Sequence, residues 1–236
     1  YAALRGHWCH VLRGEELRLY TAIAVISIGL VCLNLCVQTG APLGQSITDA
    51  SFQVVTIMTT TGYATQNFAL WPSFSRILLA MLMFVGACAG STGGGIKVSR
   101  IIAGFKAIAN ELHFYVHPKS VKKVRLEDKP VDDGAIRSIL VYFLLFIVIF
   151  AASVLLVSLD NFDPTTNFTA VAATLNNIGP GLSLVGPTRN FDLFSPFSKL
   201  VLMFDMLAGR LEFYPMLLIF APSFWRQIPK HYRKIG

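Results

Sequence analysis

Four long apolar stretches alternate with polar ones along the chain. They are Leu19 to Val37, Ile77 to about Gly95, Ile139 to Leu159, and Leu200 to Phe220. Each is long enough to cross a bilayer, because about 20 residues at 1.5 Å each cover the ~30 Å hydrocarbon core. Between the first and second lies Ser46 to Met58, apolar but too short to cross. Ser46 and Thr48 are its candidate caps, and Asp49 suits a helix N-terminus. This predicts a half-helix that enters the membrane and returns as a loop. Thr165 to Leu175, led by Asp163-Pro164, takes the same place between the third and fourth stretches.

Each half-helix is followed by a polar, glycine-broken segment: Thr59-Thr60-Thr61-Gly62-Tyr63-Ala64 in the first half, Asn176-Asn177-Ile178-Gly179-Pro180-Gly181 in the second. At an offset of 117, Gly62 falls on Gly179, Val54 on Val171 and Ala64 on Gly181. At an offset of 123, Phe74-Ser75-Arg76 falls on Phe197-Ser198-Lys199, Met83 on Met206 and Gly86 on Gly209. The unit of span, half-helix, glycine loop and span therefore occurs twice. The predicted fold class is an all-α polytopic membrane protein. A lead (1–18) precedes a first repeat (19–96) with half-helix 46–58, loop 59–64 and a broken inner helix 77–96. A connector (97–137), a second repeat (138–225) with half-helix 165–175 and loop 176–181, and a tail (226–236) complete it.

Composition agrees with the pattern. Of 236 residues, 54% are apolar or aromatic and 14% charged, and the mean hydropathy of +0.58 is too high for an ordinary soluble domain. The net charge of +7 would suit nucleic acid, but its distribution points elsewhere. Sixteen of the twenty Lys and Arg residues fall before the first span, between the second and third, or after the fourth. An even number of spans puts those three places on one side, which the positive-inside rule makes cytoplasmic. The termini and the 97–137 connector are expected there, and no nucleic-acid partner is. The four cysteines and five histidines form no metal or disulfide spacing. The chain opens mid-element at Tyr1-Ala2-Ala3-Leu4, as a piece of a longer protein would.

Three features carry candidate chemistry. The first is the pair of glycine segments. A dehydrated cation must exchange water for oxygens, and backbone carbonyls supply them without burying a charge; glycine lets the carbonyls turn toward an axis. Thr60, Thr61, Gly62 and Tyr63, with Asn177, Ile178, Gly179 and Pro180, would form such an ion pathway. The alternative is a plain turn between helices. The second is Gly86 to Lys97, whose glycine content, with Gly90, Gly93, Gly94 and Gly95, no regular helix sustains. A nucleotide phosphate loop needs Lys directly after the last Gly, and Ile96 intervenes. A small-residue packing face at Gly86-x-x-x-Gly90 and an unwound loop in a pore remain. The third is the intramembrane charge set Asp205, Arg210 and Glu212. Arg210 either limits cation flow as a fixed charge or forms an ion pair with Asp205, Glu212 or a group elsewhere.

The half-helix followed by T-T-T-G-Y-A, and later T-L-N-N-I-G-P-G-L at Thr174 to Leu182, resembles the Trk/Ktr/HKT superfamily of potassium transporters, most closely the Trk-H type. The resemblance covers nearly the whole chain and matches the third and fourth of that family's four repeats. It implies a potassium filter with Gly62 and Gly179 as its glycines, the ion held by the carbonyls of Thr61, Gly62, Ile178 and Gly179. It implies an intramembrane gating loop at Gly90 to Gly95, and a fourth-repeat arginine, Arg210, below the filter. It further implies potassium uptake, by symport or as a channel, in a bacterial inner membrane. No cofactor and no enzymatic activity are implied. The implied partners are a second copy in a homodimer and a cytosolic nucleotide-binding regulatory subunit of the Trk-A kind. Rival readings are a secondary transporter with a broken-helix solute site, a membrane enzyme using Asp205, Arg210 and Glu212, and a packing subunit.

Overall fold

The computed structural model describes residues 14–91, 93–117, 124–126 and 129–211. The basic lead before residue 14, most of the charged connector loop, Glu212 and the basic tail lie outside the described residues. The described chain holds seven α-helices: α1 (Glu15–Thr39), α2 (Leu43–Met58), α3 (Ser73–Leu82), α4 (Val98–Val116), α5 (Asp133–Val157), α6 (Pro164–Leu175) and α7 (Pro196–Leu211). Short 3-10 turns at Phe68–Leu70, Ser158–Asp160 and Ser183–Val185 punctuate the loops.

α1 and α5 are the two described helices long and apolar enough to cross a membrane. Glu15 and Glu16 in the first turn of α1 complement the positive end of the helix dipole, and Gly40 in the left-handed conformation closes it on the Cys36 carbonyl. Asp132 opens α5 by accepting from the Gly134 N–H. Large apolar residues on both face outward, among them Val25, Leu33, Leu144 and Ile147. In a membrane protein that is the face lipid or further protein covers.

The twofold repeat is the architecture. α1, α2 and α3 pack on one another, and α5, α6 and α7 do the same. α3 and α7 begin at Ser73 and Pro196, the same position at the 123-residue offset, and Ser75 and Ser198 are both fully buried in their first turns. The first core gathers Val31, Leu35, Val54, Ile57, Leu79 and Met83, and reaches across to Ala172, Ile178 and Leu182 of the second unit. The second gathers Val157, Val171, Val185 and Leu202.

Two expected boundaries need correction. α2 starts at Leu43, one turn before Ser46, because Pro42 already sets an extended entry; Ser46 lies inside the helix with its hydroxyl buried and unbonded. The inner helix expected at 77–96 starts at Ser73 and ends at Leu82; the break comes before the glycines. Residues 83–91 and 93–97 are loop, stitched by Gly86 N–H to Ile96 O (2.9 Å), Ile96 N–H to Phe84 O (3.3 Å) and Val98 N–H to Ala87 O (3.3 Å). The last helix begins at Pro196, four residues before its apolar stretch, so Arg210 sits fourteen residues in, roughly 21 Å along it. Within the connector, α4 runs to Val116, and Arg125–Leu126 pairs antiparallel with Lys129–Pro130.

Candidate functional site

The two glycine segments have one backbone geometry. Thr60 and Asn177 both take left-handed φ, at 54° and 55°, and two residues later Gly62 and Gly179 take φ of 77° and 115°. Their hydrogen bonds match at the same 117-residue offset. Thr59 N–H donates to Val55 O and Asn176 N–H to Ala172 O; Thr60 to Ile57 and Asn177 to Thr174; Thr61 to Thr56 and Ile178 to Ala173. Even the side chains agree, since Thr59 Oγ1 and Asn176 Nδ2 donate to those same Val55 and Ala172 carbonyls. A tightened last turn uses up the half-helix carbonyls and throws the next residues off the helix axis.

The segments also meet. A Cβ built on Gly62 would overlap the Ile178 carbonyl oxygen and lie 3.3 Å from Pro180 Cδ. Gly62 is therefore required twice, by its φ and by this approach. Gly179 is required by φ alone, with no atom among the described residues within 4 Å of such a Cβ. Tyr63 points outward, 75% exposed.

Each segment is held from behind. Gln53 is fully buried in α2; with its amide oxygen turned to the loop, it accepts from the backbone N–H groups of Thr65 (3.0 Å) and Gln66 (3.2 Å). In the second unit Thr169 Oγ1 accepts from Leu182 N–H at 3.0 Å. Neither residue was singled out from sequence. Their signal was a polar side chain on the buried face of an apolar half-helix, where an unbonded group would be costly.

The glycine loop lies against both segments. A Cβ on Gly93 would come within 3.2 Å of Thr60 Oγ1, one on Gly95 within 3.3 Å of Asn176 Oδ1, and one on Gly94 would overlap the Asn176 carbonyl. Gly90 turns at φ 80° with open space around it. Gly86 cannot carry a side chain because the Gly94 carbonyl oxygen would be 2.6 Å away. Of the two sequence readings, packing between helices fails for Gly86 and Gly90: their neighbours, where they have any, are the loop itself. Below the loop is a cavity of about 230 Å³ lined by Gly93, Gly95, Lys97, Arg100, Gly209 and Arg210. Arg100 also stacks 4.1 Å over the Tyr142 ring. α7 closes this side by direct backbone approach, since a Cβ on Gly209 would overlap the Leu175 carbonyl at the end of α6.

Asp205 is fully buried on α7, and Ser153 of α5 donates to its Oδ1 at 2.7 Å. Arg210, one and a half turns on, is exposed to the cavity. The structure thus brings Arg210, the glycine loop and both filter-like segments together, and gives Asp205 a partner on another helix.

The family model described as TrkH, cation transport protein, matches residues 19–227. The chain belongs to the TrkH cation transport family. The family's potassium uptake protein TrkH from Escherichia coli K12 is 40% identical over 228 residues, which are 95% of this chain and 46% of that protein. The Trk system potassium uptake protein TrkI of Halomonas elongata is 32% identical over 226 residues. The crystal structure of the potassium transporter TrkH from Vibrio parahaemolyticus superposes with a TM-score of 0.83 at 35% identity, covering 91% of this chain and 46% of that one. The chain spans about half the length of the TrkH relatives it matches. Membership in this transporter family sets aside the membrane-enzyme reading of Asp205, Arg210 and Glu212.

Proposed function

We propose that the chain is the pore-forming half of a potassium uptake system, completed by two further repeats. The observation that carries this is the matched pair of segments, identical in φ pattern and hydrogen-bond register and set against each other through Gly62 and Ile178. The carbonyls of Thr61, Gly62, Ile178 and Gly179 supply neutral oxygens to a dehydrated potassium ion. The half-helices α2 and α6 turn the negative ends of their dipoles toward the same place. The relatives' names, potassium uptake protein and potassium transporter, support that choice of ion. The open apolar cavity of about 530 Å³ beside Asn177, Ile178 and Gly179, lined also by Met203 and Met206, suits the packing of another repeat.

In this reading the loop at Gly90–Gly95 gates the pathway, and Arg210 sets a positive charge just below it. The protein works in the bacterial inner membrane as a homodimer. A cytosolic nucleotide-binding subunit docks on the connector and tail. The alternative of an organic-solute site gains no support from two segments that present backbone rather than side chains.

The test is potassium uptake by the full-length protein in a transport-deficient bacterium. Gly62→Ser pushes on the Ile178 carbonyl, so potassium-over-sodium selectivity is expected to fall, on the order of tenfold for a perturbation of ~1.4 kcal/mol. Unchanged selectivity would remove Gly62 from the filter.

A further inference from the structure

The glycine loop carries its own cation. Lys97 Nζ lies 2.7 Å from the Gly93 carbonyl oxygen, 2.8 Å from the Ser91 carbonyl oxygen and 3.1 Å from Ser91 Oγ. These three oxygens converge on one ammonium, a group with three N–H donors. They are also the ligand class that holds a dehydrated monovalent cation: neutral, mostly backbone, and converging on one point. The trio is directly under the first filter segment, because Gly93 backs onto Thr60 Oγ1. Lys97 reads from sequence as the first charge of the connector; in the fold it turns back into the membrane-embedded loop, and shares its cavity with Arg100 and Arg210.

We infer that the Lys97 ammonium is the tethered occupant of a monovalent-cation site formed by the Ser91 and Gly93 carbonyls and the Ser91 hydroxyl, and that it keeps a free ion out of this position. The inference deepens the pore reading above and rests on it. Removing the ammonium leaves oxygens without their donor, and a potassium ion satisfies them where a large organic cation does not fit.

The experiment uses the purified full-length protein, melted in potassium chloride and in choline chloride of equal ionic strength. Lys97→Met keeps the aliphatic stem and removes the charge. In choline the variant is expected to melt below the wild type. In potassium it is expected to recover by a shift on the order of a few degrees beyond the wild type's own potassium shift. Adding Ser91→Ala, which deletes one of the three oxygens, is expected to shrink that extra shift. An extra shift that survives Ser91→Ala undiminished places the ion elsewhere and overturns the assignment. A variant whose potassium-minus-choline shift equals the wild type's overturns it as well, leaving the pore reading intact. A wild type with neither a potassium-specific shift nor uptake overturns the pore reading itself. If Lys97→Met is recovered too poorly to melt, its monodisperse yield in the two salts carries the same reading. Potassium-dependent yield supports the site, and equal yield in both salts overturns it.

Discussion

At the scale of single residues, the glycines of this chain are not interchangeable. Gly209 has no room: a Cβ would strike the Leu175 carbonyl and sit 2.7 Å from Asn177 Nδ2, both at the base of the second glycine segment. Gly90 has room but turns at φ 80°. Gly209→Ala is therefore expected to cost ~3 kcal/mol or more, at the upper end for forcing volume into a packed site, because backbone must move. Gly90→Ala is expected to cost only ~1–2 kcal/mol for the left-handed conformation. Melting temperatures of the two full-length variants check the order, and equal losses would contradict the packing described for α7. The sequence marks both positions as glycine and cannot rank them, since the reason lies in a chain segment more than thirty residues away in the one case and in local φ in the other. Asp205 teaches the same lesson. Its charge was conspicuous in an apolar span, and the sequence offered Arg210 and Glu212 as neighbours. The fold gives it Ser153, 52 residues earlier, by packing α5 on α7.

At the scale of elements, the second half-helix shows how a short helix is fixed at its entry. Asp163 accepts from the Thr166 N–H at 3.0 Å and from the Thr166 hydroxyl, and Ser183 Oγ lies 3.4 Å from it. Burial pushes the Asp163 carboxyl up, but the Thr166 and Ser183 bonds outweigh it and hold it below the usual carboxylate range. The Ser195 backbone N–H donates to Asp160 at 2.9 Å and ties the loop after α5 to the entry of α7. A depressed folded value means that the Asp163 contribution is fully present above the unfolded carboxylate pKa of about 4 and is lost as pH falls through the folded value. Asp163→Ala is expected to cost about 1 kcal/mol at neutral pH as a lost N-cap. The difference from wild type should close under acid; melting at the two pH values checks both. α6 was legible to within one residue, because Asp163-Pro164 is a strong start signal and Gly179 a strong stop. α2 was misplaced by a turn, because Ser46 and Thr48 look like caps while Pro42 does the work with backbone conformation alone.

At the scale of the whole molecule, the repeat was readable because its punctuation is polar residues and glycine in an apolar background. The contacts between repeats were not, since no periodicity encodes which loop meets which. The same holds for the ties that α1 makes to α4 and to the glycine loop. Glu15 at the start of α1 pairs with Lys106 of α4 at 2.5 Å, and Glu16 accepts from the Ala89 N–H of the glycine loop at 3.2 Å. Because the Glu15 and Lys106 side chains are more than a third exposed, at 41% and 37%, the pair is expected to be worth at most ~1 kcal/mol. Glu15→Lys and Lys106→Glu should each destabilise modestly, and the double reversal should recover the loss. A double-mutant cycle on the full-length protein measures it, and strict additivity would dissolve the pair. The two glycine segments are alike in entry and hydrogen-bond register, and the units differ at residues 83–88, which are loop where the matching residues 206–211 are helical. In the pore proposed above, a loop contributed by one repeat would act as a single leaf rather than an iris. The described leaf is stitched by three backbone hydrogen bonds and the reach of two charged side chains. At about 1 kcal/mol net per bond, these ties hold the loop by roughly 5 kcal/mol, several times thermal energy, and none of them is a bond inside a helix.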